Sequence, residues 1–147
     1  MWAGIMVGGI TGTDMPKWSD IKHFKPEDFD DHYGVNKGED INLDLVGRLD
    51  SLREWIACPI IVTAGYDSKG HSEMSYHYKG LAADIIICTT MDMREQWNYI
   101  KIAGFSGIGI YPHWKYKVYS GGFHLDLRDI PQLWRQMPDG KYVYFLP

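Results

Sequence analysis

The sequence predicts an α+β fold: a small central, mainly antiparallel sheet that carries a metal-type site and packs against helices. Three observations predict it. Helical and strand patterns are mixed without the strict alternation of a doubly wound parallel sheet. One long segment has a helical apolar stripe, while several short runs are apolar and β-branched. Two of those short runs carry histidine and carboxylate residues on one face and aliphatic residues on the other.

The N-terminal MWAGIMVGGITG is apolar, uncharged and short, and is expected to form a first strand or a packed arm. It lacks the basic region and cleavage pattern of a signal peptide and is too short to span a bilayer. Residues 16–40 are rich in Pro, Asp, Lys and Gly and read mostly as loop. A helix is expected over about residues 41–57, with Leu45, Leu49, Leu52 and Ile56 on one stripe. Asp40 is expected to cap its start and Pro59 to force its end.

Residues 59–64 (PIIVTA) read as a buried strand, 65–80 as a polar loop and 82–88 as a second strand. A helix follows at about 92–103, with Asp92 and Glu95 spaced as a capping box and Gly104 as its stop. Short strands are expected near 107–111 and 122–127, a helical turn near 130–136, and a final strand at YVYFL. No repeat, low-complexity tract or linker interrupts the chain, so residues 1–147 read as one domain.

Bulk properties exclude some classes. Net charge is −4, which offers no electrostatic footprint for nucleic acid or an anionic membrane. The two cysteines, Cys58 and Cys88, abut apolar runs without metal-motif spacing and are expected to be buried free thiols, the alternative being a disulfide between them if those strands pair antiparallel. Aromatics are plentiful, with 6 Trp and 10 Tyr, and a few are expected to line a groove.

The chemistry concentrates in SYHYKGLAAD, residues 75–84, which reads S-x-H-x-x-G-x-A-x-D, and in the later GGFHLDLR. His77, Asp84 and His124 are the ligand types that hold a catalytic zinc with one position left open. Each has a plain alternative: a loop histidine, an ion-paired carboxylate, a satisfied core histidine. Asp126 could equally pair with Arg128. Together, with Ser75, Gly80 and Ala82 in register, they read as a metal site.

These motifs resemble the zinc D,D-carboxypeptidase and L-alanyl-D-glutamate endopeptidase superfamily, which includes the Hedgehog signalling domain. The run TAGYDSKGHSEMSYHYKGLAADI looks especially like the Hedgehog version, and the likeness extends over about residues 40–128. It implies a Hedgehog/D,D-peptidase-like fold, Zn2+ on His77, Asp84 and His124, and hydrolysis of an amide bond in peptidoglycan or a small D-amino-acid-containing peptide. Ser75 would orient the ligand loop, and Tyr76, Tyr78 and Tyr111 would line the cleft. Asp126 is the first candidate for the base, or else holds His124 in its tautomer. Glu73 is a second candidate, and His71 would stabilise the oxyanion.

Two departures stand out. Gly121 and Gly122 stand where many members have E-x-x-H or H-x-H, and Asp67 stands where many have a substrate-holding Arg. Lys69, Arg128 or Lys115 would have to replace that Arg. Asp67 is also the one residue matching Hedgehog's calcium site. The alternative is a catalytically inactive zinc-containing binding module. The protein is expected to be made in the cytoplasm and to act on the periplasmic or extracellular wall, whether phage-encoded or cellular.

Overall fold

The structure is a computed structural model and describes residues 16–145. The strand or arm expected at the N-terminus lies outside the described residues. Among the described residues, two α-helices, α1 (Leu43–Ile56) and α2 (Met93–Ile100), accompany six strands: β1 (Ile60–Ala64), β2 (Ala82–Ile87), β3 (Gly107–Tyr116), β4 (Tyr119–Asp126), β5 (Gln132–Gln136) and β6 (Tyr142–Phe145). The strands form one sheet in the order β1-β2-β4-β3-β5-β6. Every pair is antiparallel except β3 with β5. This is the α+β class read from the sequence. No helix among the described residues is long and apolar enough to cross a membrane.

Helix α1 forms where its stripe predicts, and Leu45, Leu49 and Leu52 are fully buried. Its cap is not Asp40. Asn42 takes that role, its side chain accepting from the Leu45 N–H at 3.0 Å, while Asp40 closes a preceding 3-10 turn, Gly38–Asp40. The helix ends at Ala57 in the left-handed region, φ 55°, two residues before Pro59. Helix α2 starts as expected, with Asp92 accepting from the Glu95 N–H at 2.9 Å. Cys58 and Cys88 are free and half-buried at adjoining ends of β1 and β2.

Two strand expectations change. β3 runs on to Tyr116 and turns into β4 through Lys117, which holds φ 55°. Residues 132–136 form a strand, not a helical turn. Its pairing with β3 is parallel, Gly109 beside Trp134, and the Gln132 N–H donates to the Ser106 carbonyl at 2.9 Å. The segment QLWRQ has no strong local preference, so the open edge of β3 decides its state.

The two faces of the sheet divide the labour. Ile85, Ile87, Phe123, Leu125 and Ile108 join the core that also holds the stripe of α1. On the other face, registered residues make a row across five strands: Asp84, His124, Gly109, Trp134 and Tyr144. Asp126 and Gly107 share the neighbouring row.

Replacing Asn42 by Ala removes the α1 cap and is expected to lower stability by about 1 kcal/mol. Asp40→Ala should stay within about 0.5 kcal/mol of the parent. Urea denaturation of both variants checks the assignment.

Candidate metal centre

The loop before β2 is built to fix one imidazole. Ser75 caps the 3-10 turn Tyr76–Lys79, its Oγ accepting from the His77 N–H at 3.1 Å. Gly80 ends the turn at φ 68°, a conformation that suits glycine. His77 is thereby held at 1% exposure. Its Nδ1 lies 2.9 Å from the Gly65 carbonyl oxygen and its Nε2 lies 3.1 Å from Asp84 Oδ1.

Antiparallel pairing of β2 and β4 puts Asp84 directly opposite His124. His124 Nδ1 approaches the same Asp84 oxygen at 2.9 Å, and its Nε2 meets Asp126 Oδ2 at 2.7 Å. Both imidazoles therefore face an acceptor at each ring nitrogen. A neutral imidazole has only one N–H, so one nitrogen of each ring would set its lone pair against an oxygen lone pair. A proton or a metal cation among these atoms resolves the conflict. The donor set, imidazoles and a carboxylate, suits zinc. Anchored outer nitrogens are also how metal-binding histidines are oriented.

The electrostatics agree with that demand. Burial works to raise the Asp84 pKa, but hydrogen bonds from His124 and His77 outweigh it and hold the carboxyl well below its usual range. Burial opposes a charge on His124, yet Asp126 and Asp84 push its pKa up to about 9. Asp126 is fully buried. Burial would raise its pKa, but Arg128 and His124 lower it to about 2. Arg128 grips it through Nε at 2.9 Å and Nη2 at 2.5 Å.

His71 joins this group from the same loop. Its ring stacks on His77 with centroids 3.9 Å apart and 12° between planes. His71, His77 and Asp84 each offer a ligand atom within 4.8 Å of the others. The His71 Nε2 is anchored 2.8 Å from Asp67 Oδ2. Asp67, only 2% exposed, also accepts from the His32 backbone N–H and lies 3.0 Å from His32 Nδ1. The residue matched to a calcium site thus has its carboxylate engaged by two histidines. His32 was not legible as part of this network, but Asp67 and His71 stand four apart and offered a signal.

A cleft of ≈ 520 Å³ opens over the centre. His71, Ser75, Tyr76, Tyr111, His77 and His124 line it, as does Asp84, while Glu73 is exposed and is not among the lining residues. Of the three replacements for the missing Arg, only Arg128 lines the cleft. Lys69 lies over the Tyr33 ring and Lys115 is exposed on β3. Trp114, Trp134 and Tyr142 also line the cleft and were not singled out from the sequence. The expected helical turn hid Trp134.

Glycines on β3 and β4 make the room, Gly107, Gly109 and Gly122 on the site face and Gly121 on the core face. A Cβ at Gly107 would collide with the Asp126 carboxylate, and one at Gly109 would meet the Trp134 ring at 2.6 Å. At Gly122 it would come within 2.7 Å of Trp114, and at Gly121 it would strike the Met93 sulfur. The space that another side chain would take at the two departure positions is thus filled by Trp114 and Met93.

An imidazole–carboxylate cluster that could hold a metal ion thus lies at the floor of an open cleft, on one face of a mainly antiparallel sheet. Residues 22–118 match the Peptidase M15 family, and the chain belongs to it, within the zinc D,D-carboxypeptidase superfamily. The match includes His71, His77 and Asp84 and stops short of His124 and Asp126. No curated protein and no solved structure matches the chain. The family is one of zinc-dependent peptidases, which places the chain among metallopeptidases in general.

Gly107→Ala forces Asp126 to move against its ties to His124 and Arg128. It is expected to cost about 1–3 kcal/mol by overpacking and to lower bound metal. Thermal denaturation with elemental analysis of the purified variant reads both.

Proposed function

We propose that the protein hydrolyses an amide bond in peptidoglycan stem peptides, as a carboxypeptidase or an endopeptidase, with zinc on His77, Asp84 and His124. The observation that carries this reading is the single Asp84 oxygen approached by two imidazoles whose other nitrogens are tied to Gly65 and Asp126. When bound, zinc supplies a Lewis acid that polarises a carbonyl and acidifies water.

The chain's own residues do the rest. His71 stands beside the ligands with Asp67 behind it, so it has a carboxylate to orient its ring. We assign it the proton transfer from water to the leaving amine. Asp126 is committed to Arg128 and His124 and acts as a positioning residue for His124. Glu73, exposed and outside the cleft lining, takes no part. Ser75 sets the ligand loop, and Tyr76 and Tyr111 contact the substrate.

The blocked positions at Gly121 and Gly122 favour a second reading. They leave the cleft without the family's usual catalytic Glu, as an inactive binding module would be. Mass spectrometry of purified peptidoglycan after incubation with zinc-loaded protein separates the two. Released D-alanine or a newly cut stem peptide, absent with His77→Ala, supports the peptidase. Intact walls of several chemistries, with zinc confirmed bound, support the binding module.

The assigned roles differ in zinc content and turnover. His77→Ala is expected to lose both. His71→Ala should retain zinc and lose about 100-fold or more in kcat. Loss of zinc in that variant would make His71 a ligand instead. Asp67→Asn should lower kcat about 10-fold or more with KM little changed, and a change confined to KM would refute its positioning role.

A further inference from the structure

Beyond the metal centre, the cleft continues as a wall of aromatic rings across β3, β5 and β6. Trp134 lies next to His124, ring centroids 5.3 Å apart, so the wall begins beside the reacting position. Its Nε1–H donates to the Tyr111 hydroxyl at 3.0 Å. Tyr111 stacks on Trp114 at 4.1 Å with 11° between planes, and Tyr142 meets Tyr111 edge-on at 6.3 Å. Trp114 follows Tyr111 by three residues, so a regular strand would put them on opposite faces. A register shift between Tyr111 and Lys115 brings both to the site face. Gly109 and Gly122 let Trp134 and Trp114 lie close on the sheet.

The wall is neutral. Burial pushes the Tyr111 phenol up to about 12, so it stays protonated. Gln136 adds an uncharged amide to the lining. Among the described residues, Arg128 is the one permanent cation lining the cleft, and its fork is taken. Nε and Nη2 hold Asp126, Nη1 donates to Gln132 at 2.7 Å, and the guanidinium lies over both Tyr76 and Trp134. A terminal carboxylate of a peptide finds no unengaged guanidinium there. Flat rings interspersed with a neutral amide and phenol hydroxyls suit a ligand with a C–H face and uncharged hydrogen-bonding groups. A pyranose ring of an N-acetylated amino sugar has both.

We propose that this wall is a sugar subsite, and that the substrate is a stem peptide still attached to its glycan and cut at an internal amide bond. This rests on the peptidase reading above and specifies its substrate. The experiment compares a disaccharide-linked stem peptide with the same peptide freed of sugar, in cleavage and in calorimetric binding. The zinc-loaded parent should show kcat/KM at least tenfold higher on the sugar-linked form. Trp114→Ala and the surface variant Tyr142→Ala should each lower that value several-fold more than they lower cleavage of the free peptide. Equal cleavage of both forms, slowed equally by the variants, would overturn the subsite and leave the peptidase intact. If neither form is cut, tighter binding of the sugar-linked form, weakened by Tyr142→Ala, upholds the subsite while the peptidase reading fails. Absence of any preference for the sugar-linked form in binding overturns the subsite in that case too.

Discussion

One carboxylate oxygen organises this molecule. Asp84 Oδ1 lies in a fully buried strand and is approached by His77 from the loop and by His124 from the adjoining strand. A buried carboxylate is costly unless positive charge and hydrogen bonds compensate it. Here the compensation comes from two rings that are each anchored on their far side. The anchors, the Gly65 carbonyl and Asp126, fix where the inner nitrogens point. The fold around Asp84 therefore has to deliver a turn, a register and a second carboxylate at once.

The register is the most demanding of these. Pairing β2 with β4 one residue out would turn His124 to the core face and Phe123 or Leu125 toward the cleft. The aliphatic set Ile85, Ile87, Phe123 and Leu125 makes such a slip expensive, because all four are buried against α1 and its surroundings. Core packing on one face thus holds the metal geometry on the other. The site-face glycines complete the arrangement. They leave space where Asp126, Trp134 and Trp114 must come close to the strands.

Chains of imidazole and carboxylate groups extend outward from Asp84 in both directions. On one side His124, Asp126 and Arg128 follow in sequence, ending on a cation that lies over two aromatic rings. On the other side His77 stacks on His71, which is anchored by Asp67 and, beyond it, His32. Asp126, His77 and Asp67 in these chains are buried, His71, Asp84 and His124 border the cleft, and His32 at the far end is largely exposed. Such networks restrain each ring more tightly than isolated pairs do.

The sequence by itself determined the α+β class, both helices, strands β1, β2 and β4, and the convergence of His77, Asp84 and His124. The elements rest on local physics, an apolar stripe at helical spacing, β-branched runs and side chains two apart on one face, while the convergence rests on the S-x-H-x-x-G-x-A-x-D pattern and the family it resembles. Tertiary structure decided what local physics leaves open. Whether Asn42 or Asp40 caps α1 depends on where the preceding 3-10 turn closes. Strand β5 exists because β3 offers an unpaired edge, so Trp134 could not be placed from its own neighbours. The face on which Trp114 lies depends on a register shift invisible in the chain. The ties of Asp67 to His32 and of Asp126 to both His124 and Arg128 decide which carboxylates are already engaged. Those partnerships are set by three-dimensional proximity and burial, and the identity of a carboxylate in a sequence carries neither.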